Sequence, residues 1–155
     1  MQKFILFFLF LLFTTGSVLA QQTYVWDQYG LAIDVPDDFK VTKNTDTEFE
    51  LSGDQMAMYM YLFEQDISVD QMSTAVLEAA ISMEMTEVDA ATKISGDGLD
   101  GYFVEGYKDG LRVALAGMID PKSQTNFLLL ITFHDDDKVA EDDAVAIIHS
   151  VRSEK

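Results

Sequence analysis

The amino-acid sequence predicts an α+β fold, a mostly antiparallel sheet of about six to eight strands with a helix on each face. Two observations carry the sheet. Met56 to Phe63 and Phe127 to His134 are apolar at both alternating sets of positions, which a strand tolerates only where both faces of its sheet are covered. Other short apolar segments are divided by compact turn signals, as antiparallel neighbours require, and Lys108-Asp109-Gly110 is the sharpest of these. A third observation supplies the covers. Two stretches of helical periodicity, one after Ser68 and one after Asp137, lie far apart in the chain, so each can be laid on a different face.

The chain opens on a leader. Lys3 precedes an almost unbroken apolar run from Phe4 to Phe13, and Val18-Leu19-Ala20 closes it with small residues where a signal peptidase reads them. A membrane anchor needs about 20 apolar residues, and Thr14, Thr15, Gly16 and Ser17 intervene early, so cleavage is the better reading. With no cysteine in the sequence, neither lipid attachment after the cleavage point nor a disulfide framework can form. Residues 1-20 are expected to be a signal peptide and residues 21-155 a single secreted or periplasmic domain with one packed core. No later stretch is long enough to span a membrane.

Tyr24 to Trp26 and Gly30 to Val35 form an opening hairpin around the turn-like Asp27-Gln28-Tyr29-Gly30, and Pro36 ends the second strand because it lacks the N–H that a ladder needs. Phe39 then tucks back toward the core. A second hairpin joins Glu48 to Leu51 with Met56 to Phe63 through Ser52-Gly53-Asp54-Gln55, the glycine supplying a backbone angle closed to other residues. Between the hairpins, Val41 to Thr47 is expected to be a long loop.

The first helix has a well-specified start. Ser68 and Gln71 form a capping box, and Ile67 and Met72 occupy the two positions of a hydrophobic staple. Met72, Val76, Ala79 and Met83 share the face for the sheet, and the helix is expected to end near Thr86 to Asp89. Strands follow at about Ala91 to Ser95, Tyr102 to Tyr107, Leu111 to Ile119 and Phe127 to His134. The glycine-rich Ser95 to Gly101 is a surface turn. Its superficial likeness to a calcium loop fails, because Gly106 stands where a bidentate Glu is required. A closing helix covers Asp137 to Val151, with Ala140, Ala144, Ile147, Ile148 and Val151 on one side.

The sequence carries 10 Lys plus Arg against 27 Asp plus Glu, and removing the leader deletes one lysine, for a mature net charge of 9 − 27 = −18. Such a surface disfavours nucleic acid and anionic membrane as partners. Its first reading is solubility in an exposed compartment, and a cationic partner, a divalent ion or no partner at all is compatible with it.

Gly30 to Phe39, a strand followed by Pro36, Asp37, Asp38 and an aromatic residue, resembles the opening signature of PsbP-like domains. The closing strand from Phe127 and the helix ending Ile147-Ile148-His149-Ser150-Val151-Arg152 are similar to the tail of that superfamily. It includes an extrinsic photosystem II subunit, the Ran-binding import factor Mog and many small bacterial secreted proteins. The resemblance covers nearly all of residues 24 to 152. It implies an α/β/α sandwich and a non-enzymatic accessory or binding role, and it transfers no functional residue.

Three features bear on chemistry. Asp135, Asp136, Asp137, Glu141, Asp142 and Asp143 crowd one short segment; they suit the capped, electropositive start of a helix and, as the alternative, a calcium-responsive module. Leu77, Ile81 and Met85 repeat on the side of the first helix away from Met72. That stripe is either covered by Val41 to Thr47 or a neighbouring segment, or it is a docking surface for a protein partner or a homodimer seam. His134 and His149 have no partner visible in the sequence, and no hydrolase, zinc-protease or phosphate-loop motif occurs, so no catalytic residue and no cofactor is assigned. A hydrolase with a dispersed site is the remote alternative, since such sites leave no linear trace.

Overall fold

A computed structural model describes residues 21–63, 67–95 and 99–154; the leader and the Gly96-Asp97-Gly98 part of the expected surface turn lie outside the described residues. The opening hairpin forms from β1 (Gln21–Trp26) and β2 (Leu31–Pro36), with Trp26 opposite Leu31. β3 (Lys40–Asn44), β4 (Glu48–Ser52) and β5 (Met56–Leu62) lead into α1 (Val69–Ser82). Then come β6 (Thr92–Ser95), β7 (Asp100–Lys108), β8 (Leu111–Asp120), β9 (Thr125–Phe133), α2 (Lys138–Ser150) and the short β10 (Arg152–Ser153).

Seven of these strands make one sheet in the order β3-β4-β5-β9-β8-β7-β6, and β1, β2 and β10 make a second sheet in the order β1-β2-β10. Every pairing is antiparallel. The expected α+β architecture with a helix on each face is therefore what forms. β9 and β5 are interior strands, as their double apolarity requires.

The two faces of the large sheet are covered unequally. On one face, Met56, Met58, Met60, Phe127, Leu129, Ile131, Ala114, Ala116 and Met118 pack against Ala140, Ala144, Ile147 and Ile148 of α2 and against Trp26, Leu31, Ile33 and Val35 of the small sheet. On the other, α1 lies on β7 and β8, burying Val76 and Ala80 against Val104, Val113 and Leu115, and Met85, Val88 and Ala91 of the segment after the helix pack on the same cluster.

The start of α1 is the one the sequence specifies. Gln71 Oε1 accepts the Ser68 backbone N–H at 3.1 Å, and Ile67 packs in one cluster with Met72. Its end comes earlier than expected, at Ser82 with Met83 as C-cap. Glu84 adopts φ 59° and Glu87 φ 51°, which turns the chain back so that Met85 enters the core and Thr86 bridges to Tyr107.

Two other expectations are corrected. Lys40–Asn44 is an edge strand and not loop; all five residues are exposed, so no apolar alternation marks it. Gly53 is not among the residues with positive φ, and Gln55 at φ 58° makes that turn instead. Gly53 is required for space, because a Cβ there would stand 2.5 Å from Cδ2 of Phe39. The Asp109-Gly110 turn does take two positive angles, 52° and 80°, as a tight hairpin demands.

Candidate functional site

A helix is about 10–12 Å across and strands are spaced about 4.8 Å apart, so one helix covers two or three strands of a sheet. On the face of α1 this leaves β9, β5 and β4 without a helix above them. The uncovered floor is aromatic and aliphatic: Tyr59, Tyr61 and Phe63 from β5 and its end, and Leu128 and Leu130 from β9, all partly exposed. Tyr59 and Tyr61 stack nearly parallel, with ring centroids 6.4 Å apart.

The wall of this trough is the flank of α1. Ala75, Ala79, Ser82 and Met83 face Phe63 and Leu128 across an open space of about 320 Å³. Met83 also borders a second space of about 260 Å³, walled by Tyr59, Leu111, Val113 and Leu130 and closed by Lys108 and Asp109. Met83 stands between the two spaces and lines both, and together they form the trough beside α1. Ala75, Ala79 and Ser82 are the small residues of that wall.

Register places carboxylates along the far side. Glu48 lies opposite Tyr61 and Glu50 opposite Tyr59, so both acids share the face of the aromatic floor. Lys43 pairs with both of them. Burial, and then the charges of Glu50 and Glu48, push the Tyr61 phenol above its ordinary range, so it stays a neutral hydroxyl.

The structure does not bring Leu77, Ile81 and Met85 onto one surface. Met85 lies beyond the helix and is 8% exposed, and Leu77 packs beside it against the cluster of Val76, Val104 and Leu115. Ile81 alone stands out, at 73% exposed. The cover comes from the segment after the helix, through Val88 and Ala91, while Val41 to Asn44 belongs to the far edge of the sheet.

Nor does it gather the six acids between 135 and 143. Asp137 caps α2, accepting the N–H groups of Val139 and Ala140 at 3.0 and 3.1 Å. Asp135 and Glu141 turn to Arg112, at 3.5 and 3.3 Å, which also holds Glu105 at 2.7 Å and stacks over the Tyr107 ring at 5.4 Å. Asp136 and Asp142 are exposed. Asp143 faces a cleft of about 350 Å³ that it shares with Asp37, Asp38, Asp54 and Asp137. Among the described residues no group of three or more His, Asp or Glu is placed to hold a metal ion.

His134 and His149 are both exposed, and the His149 ring meets the edge of Phe103 at 6.2 Å. No described helix is long and apolar enough to cross a membrane.

The trough was missed because its residues satisfy the rule for a covered strand. The available signal is a count: both faces of β5 and β9 are apolar, and among the described residues one 14-residue helix lies on the second face.

The chain matches no protein-family profile and no curated protein sequence. Solved structures share its fold. One is a protein of Bacteroides thetaiotaomicron VPI-5482, with a TM-score of 0.50 at 10% identity over 87% of this chain and 48% of the other, so this chain spans about half the length of that protein. Another is LpqN of Mycobacterium tuberculosis, a protein involved in cell envelope biogenesis, with a TM-score of 0.52 at 14% identity over 86% of this chain and 90% of LpqN. At these identities the likeness establishes the arrangement of strands and helices alone.

Proposed function

We propose that the chain is a non-enzymatic binding domain of the secretory or envelope compartment, acting by protein contact through the trough beside α1. The observation that carries this reading is the unequal cover of the sheet. One face has a helix and a second sheet over it, whereas the other has a single helix with the segment that follows it, and an apolar floor beside them. The floor side chains are partly exposed and adjacent, and apolar surface gathered in this way is where interaction sites tend to form.

Other features support the reading. The leader directs the chain to an extracytoplasmic compartment, and LpqN, which shares the fold, is involved in cell envelope biogenesis. Of the groups whose proton affinity is displaced, Arg112 and Asp34 hold elements together through ion pairs and Tyr61 lies in the sheet floor, whereas Asp143 stands in the acidic cleft beside α2. Membership of the PsbP-like superfamily is part of the proposal. Its support is that Gly30 to Phe39 forms β2 and the following turn, while Ser150 and Arg152 bind back to β2.

A photo-crosslinking amino acid at Tyr59, with one at exposed Thr92 on the opposite edge strand as control, tests the reading in the native compartment. Discrete adducts are expected from position 59 alone, and they should disappear when Ser82→Arg fills the trough without shifting the thermal midpoint. Equal labelling at both positions, or labelling at 59 that survives Ser82→Arg, would overturn it.

A further inference from the structure

The walls of the trough are acidic where its floor is apolar. Along two cross-strand rows the surface passes from Glu50 to Tyr59 to Leu130, and from Glu48 to Tyr61 to Leu128, within about two strand spacings or 10 Å. On the opposite wall Glu78 is exposed and has no ion pair among the described residues. Asp109 closes one end. The lysines at this rim are engaged: Lys43 lies between Glu48 and Glu50, and Lys108 donates to the Met83 carbonyl at 2.7 Å and sits 3.8 Å from Asp109. The rim therefore presents an excess of carboxylate, on a chain whose formal charge is −17.

Resting on the binding role proposed above, we infer that the occupant of the trough is a cationic amphipathic protein segment, in which a few aliphatic or aromatic side chains are flanked by Lys or Arg. The apolar side chains would meet Tyr59, Leu128 and Leu130, and the flanking cations would meet Glu48 and Glu50 on one wall and Glu78 on the other. An apolar floor beside like-signed charges focuses their field, which favours cations and repels anionic headgroups. A neutral apolar ligand would gain the floor and leave the rim unused.

Three peptides of one leucine spacing, carrying Lys, Gln or Glu at the remaining positions, test this on the exported protein by fluorescence anisotropy and amide NMR mapping. The Lys peptide is expected to shift Tyr59, Leu128 and Leu130 and to bind at least about tenfold tighter than the Gln peptide. That advantage should be lost in a Glu50→Gln, Glu78→Gln double variant and retained in Asp142→Asn, which removes a distant exposed acid. Equal affinities for the three peptides at the trough would overturn the charge assignment and leave the trough as a binding surface. Lys-peptide binding weakened equally by Asp142→Asn would reduce it to general attraction and overturn it as well. Shifts centred elsewhere, or none, would overturn both the assignment and the binding role.

Discussion

Arg152 Nη1 lies 2.8 Å from Asp34 Oδ2, joining residues 118 apart in the chain. The pair fastens the end of α2 to the hairpin that covers the sheet, and the Ser150 hydroxyl, which accepts the Asp34 backbone N–H at 3.0 Å, reinforces it. Burial alone would push the Asp34 carboxyl up, but hydrogen bonds from Thr23 and Arg152 and the Arg152 charge outweigh it, so the group titrates below its ordinary 3.8.

Asp34→Asn is therefore expected to cost about 1–2 kcal/mol at pH 7, the lower part of the range for charge-assisted bonds because both partners keep some water. A carboxylate with a depressed folded pKa contributes fully above its unfolded value and loses that contribution as pH falls through the folded one. The gap between wild type and Asp34→Asn in urea unfolding should thus close below about pH 4. A gap of the same size at pH 3 and pH 7 would show that the charge is irrelevant.

Gly117 and Gly101 occupy neighbouring strands, and each is needed for space. A Cβ at Gly117 would stand 2.7 Å from Met72 Sδ and 2.9 Å from Val76 Cγ2, so α1 rests directly on the β8 backbone. A Cβ at Gly101 would collide with the Gly117 carbonyl oxygen. Methionine can yield and a strand backbone cannot, so Gly117→Ala should cost about 1–3 kcal/mol and Gly101→Ala more than that. Thermal denaturation of the two variants gives the ranking directly, and the reverse order would mean that α1 is the more rigid neighbour.

Much of this architecture is legible in the sequence for identifiable reasons. Doubly apolar Met56 to Phe63 and Phe127 to Phe133 mark interior strands, Ser68 with Gln71 marks a helix start, and Asp109-Gly110 marks a hairpin. Where reading fails, a tertiary cause is visible. The end of α1 is unmarked because Met85 continues the spacing of Leu77 and Ile81, and the turn that redirects it is made by Glu84 with no glycine or asparagine to announce it. β3 has no buried side, and β10 is two residues long and exists only by pairing with β2. The trough required knowing how many strands one helix had to cover. The acidic cleft joins Asp37, Asp38 and Asp54 to residues about a hundred positions away, and no local pattern encodes that.

The split fate of the Leu77, Ile81, Met85 stripe gives a clean contrast. Ile81→Glu replaces an exposed side chain and should change stability by less than about 0.5 kcal/mol. Met85→Ala empties a site in the cluster with Val104 and Val113 and should cost about 2–4 kcal/mol. Denaturant midpoints of the two variants, with sedimentation to confirm an unchanged mass for Ile81→Glu, check both statements. A fall in oligomeric mass on Ile81→Glu would restore the outer side of α1 as a seam.

Arg112 holds three carboxylates and a phenol at once, linking the β7–β8 hairpin to the start of α2. The bond to Glu105, the largest cause, together with the Tyr107 bond and the Glu141 charge, outweighs burial and raises its proton affinity above even the usual guanidinium value, so it remains charged at every accessible pH. Arg112→Met should cost about 2–3 kcal/mol, because Glu105 is left partly buried without its partner. Arg112→Lys should recover little, since a single ammonium cannot serve Glu105, Glu141 and Tyr107 together. A double-mutant cycle between Arg112 and Glu105 should give a coupling of about 1 kcal/mol or more, and additive single effects would refute the hub.

Asp143 carries the opposite sign to Asp34. Burial first, and then the charges of Asp137, Asp142 and Asp38, raise its carboxyl above the ordinary 3.8. An acid raised in the folded state imposes a penalty that is fully present above its folded pKa and absent below its unfolded one. Asp143→Asn should therefore stabilise the domain by about 0.5–1 kcal/mol at pH 7, in the range of surface-charge optimisation, and have no effect near pH 3. Part of the penalty is mutual repulsion of carboxylates around one cleft, so 0.5 M salt should shrink the gain. Unfolding midpoints of wild type and variant at the two pH values and two salt concentrations decide this, and a loss of stability at pH 7 would mean that the Asp143 carboxylate has a stabilising partner in the cleft.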